Sequence, residues 1–299
     1  WASRTTAELV FHSLVSLGII AGMLLALVLA ISDVDIVLAI AIVALLFIAM
    51  WLVGPRINDV LYKYLYKLEW VELSVFAKRT PKSASLVERV CLEHKISPVK
   101  IGIIPDSNPT AFTYGSGKWN ARLVVSEGIF TYLDEPEREA VVAHEMGHIA
   151  HNDFIVMTLA SFLVSMMFFI FRLSSSQSKG KKKGGAFLFA IAAYVFYVIG
   201  TFILLFLSRT REYLADEFSA RNTKNPDALS RALVKIAYGL VDTPDSARSQ
   251  QLSQQTRTLG ISDHKMASNF GLAQEAEKSG GKGAVRGALL FDLRSLWAK

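Results

Sequence analysis

The sequence predicts an integral membrane protein that is mainly α-helical with a small β-sheet (α+β), with about four helices crossing the bilayer. Three observations predict it. Hydrophobic residues make up 52% of the 299-residue chain and mean hydropathy is +0.35, both high for a water-soluble domain. Uncharged apolar stretches fall at residues 9–32, 36–55, 154–171 and 186–208. At about 1.5 Å per residue each is near or above the ~30 Å hydrocarbon thickness. The polar remainder shows helical and strand periodicity and is long enough for a small folded domain.

Residues 1–55 hold two N-terminal transmembrane helices. The first starts near the N-terminus but is too long for the apolar region of a signal peptide, and a second span follows at once, so it reads as an anchor. His12, near its start, is placed at the interface. Residues 56–242 form the next unit, a polar domain interrupted by a transmembrane hairpin at 154–208. Residues 81–96 read as an amphipathic helix with Leu86, Val87, Val90 and Cys91 on one side, and Ser85 with Glu88 forms a weak capping box inside it. Residues 99–104 and 121–125 are β-rich runs around the turn Gly115-Ser116-Gly117-Lys118-Trp119-Asn120, which predicts a hairpin. Asp134 and Pro136 make a helix start. After residue 242 the texture becomes Ser/Gln-rich and then Gly/Lys-rich, so residues 243–299 read as a linker-like, partly disordered region with a short amphipathic end.

The chemistry lies in two short patterns. On a helix, His144-Glu145-Met146-Gly147-His148 puts its histidines at i and i+4 on one face, close enough to hold one ion. Neutral imidazoles at that spacing suit Zn²⁺, and Glu145 can take a proton from a water at the same site. Glu212 and Asp216 are likewise one helical turn apart. Glu212 would complete a His₂Glu set with a fourth position open, and Asp216 would accept the free ring N–H of a ligand histidine. The bland reading of the acidic pair is a solvated helix face beside Arg209 and Arg211, and the upstream motif argues against it.

Taken with His144–His148, the run from Ser208 to Asp216 resembles the HtpX-type membrane zinc metallopeptidases, as does the segment from Pro105 to Gly115 followed by residues 121–130. The similarity spans residues 53–240. Thr110 departs from the family, which usually has Asn there, and none of the six histidines precedes a proline as in the family's late His-Pro element. The resemblance implies a zincin-like catalytic domain over residues 56–242, one Zn²⁺ held by His144, His148 and Glu212, and Glu145 as the base. It also implies an edge strand at Ala111, Phe112 and Thr113 that pairs with extended substrate, and a role in quality control of misfolded membrane proteins under stress. Arg209 and Arg211 are candidates to stabilise the oxyanion.

If the helices run on unbroken, His148, six residues before Phe154, and Glu212, four after Ser208, lie within ~10 Å of the membrane boundary. The expected partners are therefore the bilayer and substrates in or presented at it. Arg56, Lys63 and Lys67 follow the second span, and the loop between the first two spans has no Lys or Arg, which places the catalytic domain in the cytoplasm. Arg172, Lys179, Lys181, Lys182 and Lys183 oppose this, since four spans send that loop outside; the four-span reading is kept. The net charge of +6 gathers near membrane ends, so no nucleic-acid partner is expected. Cys91 is the only cysteine, which excludes an internal disulfide. His151 is read as a surface residue, and His94 and His264 lack metal-like spacing. The alternatives are a prenyl-protein (CAAX) endopeptidase, which usually carries more spans, and a non-catalytic scaffold with a structural metal, which would have no use for Glu145.

Overall fold

A computed structural model describes residues 6–29, 34–177 and 183–242. The expectations for residues 243–299, including His264, and for Lys179, Lys181 and Lys182 lie outside the described residues.

Thirteen elements follow in order: α1 (Thr6–Leu29), α2 (Val34–Tyr66), β1 (Glu69–Val71), α3 (Leu73–Arg79), α4 (Pro81–Glu93), β2 (Lys100–Ile104), β3 (Ala111–Tyr114), β4 (Arg122–Ser126), α5 (Glu127–Tyr132), α6 (Glu135–Ala150), α7 (Asp153–Gln177), α8 (Lys183–Thr223) and α9 (Pro226–Asp242). The fold is mostly helical with one small sheet. Four helices, α1, α2, α7 and α8, are long and apolar enough to cross a membrane. Among them Ile20 and Leu27 of α1, Ala160 and Met167 of α7, and Leu207 of α8 share one buried cluster.

Two of these helices outrun their apolar stretches. α2 continues through Pro55 to Tyr66, and α8 is unbroken from the membrane segment to Thr223. The α2 extension covers one face of the sheet, where Tyr62 and Tyr66 pack on Phe112, Tyr114 and Val124. The other face, carrying Ala111, Leu123 and Val125, joins one buried cluster with α4, α6 and α9, with α6 against β3. Alternate strand residues thus serve opposite faces, as the pleat requires, and both faces are covered.

The strand order is β1-β2-β4-β3, with β1–β2 and β3–β4 antiparallel and β2–β4 parallel. The hairpin across the Gly115–Asn120 turn is therefore β3–β4, and the run at 100–104 is not its other arm. The chain reverses after β2, and β4 then inserts between β2 and β3. Asn120 Oδ1 accepts from the N–H of Ser116 at 2.7 Å and of Gly117 at 3.2 Å. Gly115 must lack a side chain, since a Cβ there would stand 2.9 Å from the Asn120 carbonyl oxygen. Two further expectations are corrected. α4 begins at Pro81, and Ser85 within it donates to the Lys82 carbonyl and forms no capping box. The segment bearing the histidines does not run into the third span. α6 ends at Ala150 and α7 starts at Asp153, with Asn152 between them at φ 57°, a left-handed conformation that Asn tolerates.

Candidate active site

The start of α6 is fixed as its sequence predicts. Asp134 accepts from the Glu137 N–H at 3.1 Å, Glu137 accepts from the Asp134 N–H at 3.0 Å, and Pro136 occupies the first turn. Glu137 is buried and also accepts from Lys235 of α9 at 2.6 Å, which ties the helix into the core. From Ala140 to Ala150 every residue of α6 is buried. α8 crosses it at Gly147, where a Cβ would come within 3.1 Å of the Ala215 Cα and the Phe218 Cβ. That close approach sets His144 and His148 opposite Glu212.

The three side chains converge. The Nε2 atoms of His144 and His148 are 3.2 Å apart, and Glu212 places Oε2 3.5 Å from the first and Oε1 3.9 Å from the second. One ligand atom from each lies within 4.8 Å of the others. Two imidazole nitrogens sharing a tetrahedral ion at about 2.0–2.1 Å would stand roughly 3.3 Å apart, so the spacing fits one small cation. The electrostatics agree. Burial works against a charged ring at His144, yet the carboxylates of Asp216 and Glu212 raise its pKa to about 10. Acidic groups are crowded where a positive charge belongs.

Each ring is also held from behind. His144 Nδ1 lies 2.9 Å from Asp216 Oδ1, close enough to pair by charge but without hydrogen-bond geometry. His148 Nδ1 lies 2.6 Å from Asp153 Oδ2, and sequence reasoning missed this residue. Asp153 is in turn gripped by the buried Arg211, which also donates to the His151 carbonyl. Along an unbroken helix Asp153 would point away from His148, and only the break at Asn152 turns it inward. The pair Asn152-Asp153, a good helix stop before a good helix start, was the available signal. The same contacts engage Nε and Nη2 of Arg211, which lines the cavity of the site, and Arg209 is exposed.

Glu145 is completely buried beside the histidines. Thr113 donates to its Oε2 at 3.0 Å, and among the described residues its Oε1 has no hydrogen-bond partner. Burial raises its pKa, opposed by His148, His144 and the Thr113 hydrogen bond. A carboxylate in that setting has a raised affinity for a proton, as a general base needs.

β3 is one of the sheet's two edge strands, β1 being the other. A cavity of about 350 Å³ runs along it, bounded by α2, α7 and α8 and reaching His148 and Glu212. Thr113 lines it together with Tyr114 and Gly115, which the sequence did not single out. Ala111 sits in the core, and Phe112 turns to the other face against Tyr62. His151, His94 and Cys91 serve packing. His151 caps α6 and stands edge-on to Phe218. His94 also packs on Phe218, and Cys91, its thiol pKa raised by burial, packs against the core. Trp119 is exposed and meets Trp51 edge-on. Thr110 is joined to Ser126 through its backbone N–H and carbonyl.

A His-Glu-x-x-His helix facing a Glu-bearing helix that rises from the membrane defines a membrane-anchored hydrolase centre by class. The comparisons specify it further. The sequence model of Peptidase family M48 matches residues 77–269, more than half of the chain. A protease HtpX homolog of Archaeoglobus fulgidus is 34% identical over 262 residues, covering 87% of this chain and 76% of the relative. A protease HtpX homolog of Methanothermobacter thermautotrophicus is 35% identical over 190 residues, 64% of this chain and 69% of the relative. One from Aquifex aeolicus is 32% identical over 178 residues, 56% and 59%. The chain belongs to peptidase family M48 and is similar to its HtpX-type members.

Proposed function

We propose that the chain is a zinc-dependent membrane endopeptidase whose catalytic face lies in the cytoplasm and whose substrates are membrane proteins or membrane-presented, misfolded chains. The observation that carries the reading is the convergence of His144, His148 and Glu212 beside a buried Glu145 at the end of a cavity lined by the edge strand β3. His144, His148 and Glu212 would hold the zinc, which supplies Lewis acidity toward a scissile carbonyl and acidifies water. Asp153 holds the His148 ring in the tautomer that leaves Nε2 free, and Asp216, 2.9 Å from His144 Nδ1, would do the same for His144 once the site is filled. Glu145 takes a proton from the attacking water and returns it to the leaving amine, while Thr113 fixes its carboxylate. The outer edge of β3 would align an extended peptide through main-chain hydrogen bonds, so side-chain selectivity is broad. The basic residues after α2's apolar stretch support a cytoplasmic face, and quality control is the role that the HtpX resemblance implies.

The test is metal content and hydrolysis of an unfolded polypeptide by the detergent-purified chain. About one zinc per chain with chelator-sensitive cleavage is expected. Topology is read with single cysteines in a Cys91→Ser background. Positions near Lys63 and Asp216 should be shielded from an impermeant thiol reagent in intact cells, and one near Ser176 labelled. Shielding of all three would mean that α7 and α8 do not cross fully.

A further inference from the structure

The β3–β4 turn is tied to a membrane helix. Ser116 Oγ donates to the Trp51 carbonyl of α2 at 2.7 Å, and the Trp119 ring meets the Trp51 ring edge-on with centroids 6.0 Å apart. Trp51 lies within the apolar stretch of α2, about 6 Å along the helix axis before that stretch ends at Pro55. The turn therefore stands at the depth where α2 leaves the hydrocarbon. Further contacts keep it there. The Lys118 carbonyl accepts from the Ser97 N–H at 3.1 Å, and Asn120 Nδ2 donates to Ser116 Oγ at 3.1 Å. Where the two strands meet the turn, Asp59 of α2 takes both Arg122 and the Tyr114 hydroxyl. Of the residues from Gly115 to Asn120, Trp119 alone is exposed, at 53%. Its ring lies over Gly117, where an added Cβ would collide with it. A rigid turn thus presents one large ring outward.

We infer that the β3–β4 turn is a membrane-interface anchor, with Trp119 seated at the boundary between lipid headgroups and acyl chains. The side chain suits that layer, with an apolar body for the acyl side and one indole N–H for phosphate or ester oxygens. Lys118 beside it is partly exposed and offers a cation to phosphate. A lone aromatic on a water-facing loop would need no explanation. One held by a hydrogen bond to the backbone of a membrane helix has lipid around it. The anchor does not depend on the peptidase reading, but its consequence does. β3 runs into the turn and carries Thr113, which donates to Glu145. With the turn in the interface, the outer edge of β3 begins at headgroup depth, and an extended segment leaving the bilayer reaches it without first being drawn into water. Membrane-tethered chains are then favoured over free peptides by proximity, with no demand on side-chain identity.

Depth is measured without turnover. In a Cys91→Ser background, Trp119→Cys and Thr131→Cys are labelled with a nitrobenzoxadiazole thiol probe, and the full chain is placed in nanodiscs of phosphatidylcholine with phosphatidylglycerol. Thr131 is exposed on α5, beyond the far end of β4, and serves as the aqueous reference. The Trp119→Cys probe should be quenched by nitroxide-labelled lipid, more strongly with the nitroxide near the headgroup than at the acyl tail. It should also be shielded from aqueous iodide severalfold relative to the Thr131→Cys probe. Equal iodide quenching at both positions, with no lipid quenching at Trp119→Cys, would overturn the anchor. The consequence is read on a short soluble peptide in detergent and on the same peptide tethered to a transmembrane helix in nanodiscs. Trp119→Glu should lower kcat/KM severalfold for the tethered substrate and leave the soluble peptide unchanged, and Trp119→Tyr, which keeps an interfacial ring, should preserve both. Equal losses on the two substrates would assign the ring to the substrate and overturn the anchor. An absence of hydrolysis by the unaltered chain would count against the peptidase reading and leave the depth result to decide the anchor.

Discussion

α6 and α8 meet at one point and are built on opposite plans. α6 is short, capped at both ends and buried along its site-bearing length, and its histidines are each backed by a carboxylate. α8 is 41 residues long, starts in the membrane segment and carries Glu212 on a side chain that is 43% exposed. The backing carboxylates also differ. Asp153 is 7% exposed and locked by Arg211, whereas Asp216 on α8 is 48% exposed. The difference suggests a division of labour. α6 holds its groups in a fixed geometry, and α8 brings a ligand that can adjust as the site fills. Burial is what separates a preorganised half from an adaptable one.

The largest expected effect lies within α6. Glu145→Gln keeps the shape and removes the base, so peptide hydrolysis should fall by several orders of magnitude while zinc stays stoichiometric. Near wild-type turnover with normal zinc would remove Glu145 from that role. Next come the proposed ligands. His144→Ala, His148→Ala and Glu212→Ala should each lose zinc on dialysis, and the comparison adds an asymmetry. Glu212→Asp, on the exposed helix, should regain part of the metal, whereas conservative changes at the buried histidines should not. Metal titration checks both, and unchanged affinity in Glu212→Ala would mean a different third ligand.

The two backing carboxylates test the comparison directly. Asp216→Asn and Asp153→Asn should each weaken zinc by roughly 10–100-fold, since such partners orient the ligand ring. The Asp153 variant should also lose thermal stability without metal, because Arg211 is left buried beside an amide. Asp216, half-exposed and free of Arg211, has no such burden. Equal metal-free midpoints for the two variants would refute the idea that burial distinguishes them.

How far the chain could be read in advance follows the same division. His144 with His148 and Glu212 with Asp216 are spaced by one helical turn, and local periodicity reveals such pairs. The apolar stretches needed only length and hydropathy. Asp153 was hidden because its role depends on a helix break, and Asn152 at φ 57° is a single residue that one-dimensional periodicity passes over. The parallel pairing of β2 with β4 was hidden for another reason, since both strands are local but their partnership is not. The α2 extension looked like the start of a polar domain. Asp59, Tyr62 and Tyr66 acquire meaning only against Arg122, Phe112 and Tyr114, more than forty positions away.

The smallest effect concerns the crossing itself and pairs two glycines. At Gly147 an added Cβ would stand 3.1 Å from the Ala215 Cα, so the neighbour that must yield is α8's backbone. At Gly200, in the membrane segment of α8, the Cβ would stand 3.2 Å from a Val164 methyl and 3.4 Å from the Met167 sulfur, side-chain ends that can move. Gly147→Ala should therefore cost about 1–3 kcal/mol by forcing the helices apart, outweighing the ~1 kcal/mol that alanine gains in a helix. Gly200→Ala should be close to neutral, because the same propensity gain meets a softer contact. In thermal unfolding of the detergent-purified chain, a shift of about 2–4 °C per kcal/mol resolves the two. Zinc affinity sharpens the result, since only the Gly147 change moves Glu212 relative to His144 and His148. If both substitutions shift the midpoint equally, with zinc binding unaffected, the α6–α8 crossing would not be the rigid junction on which the site depends.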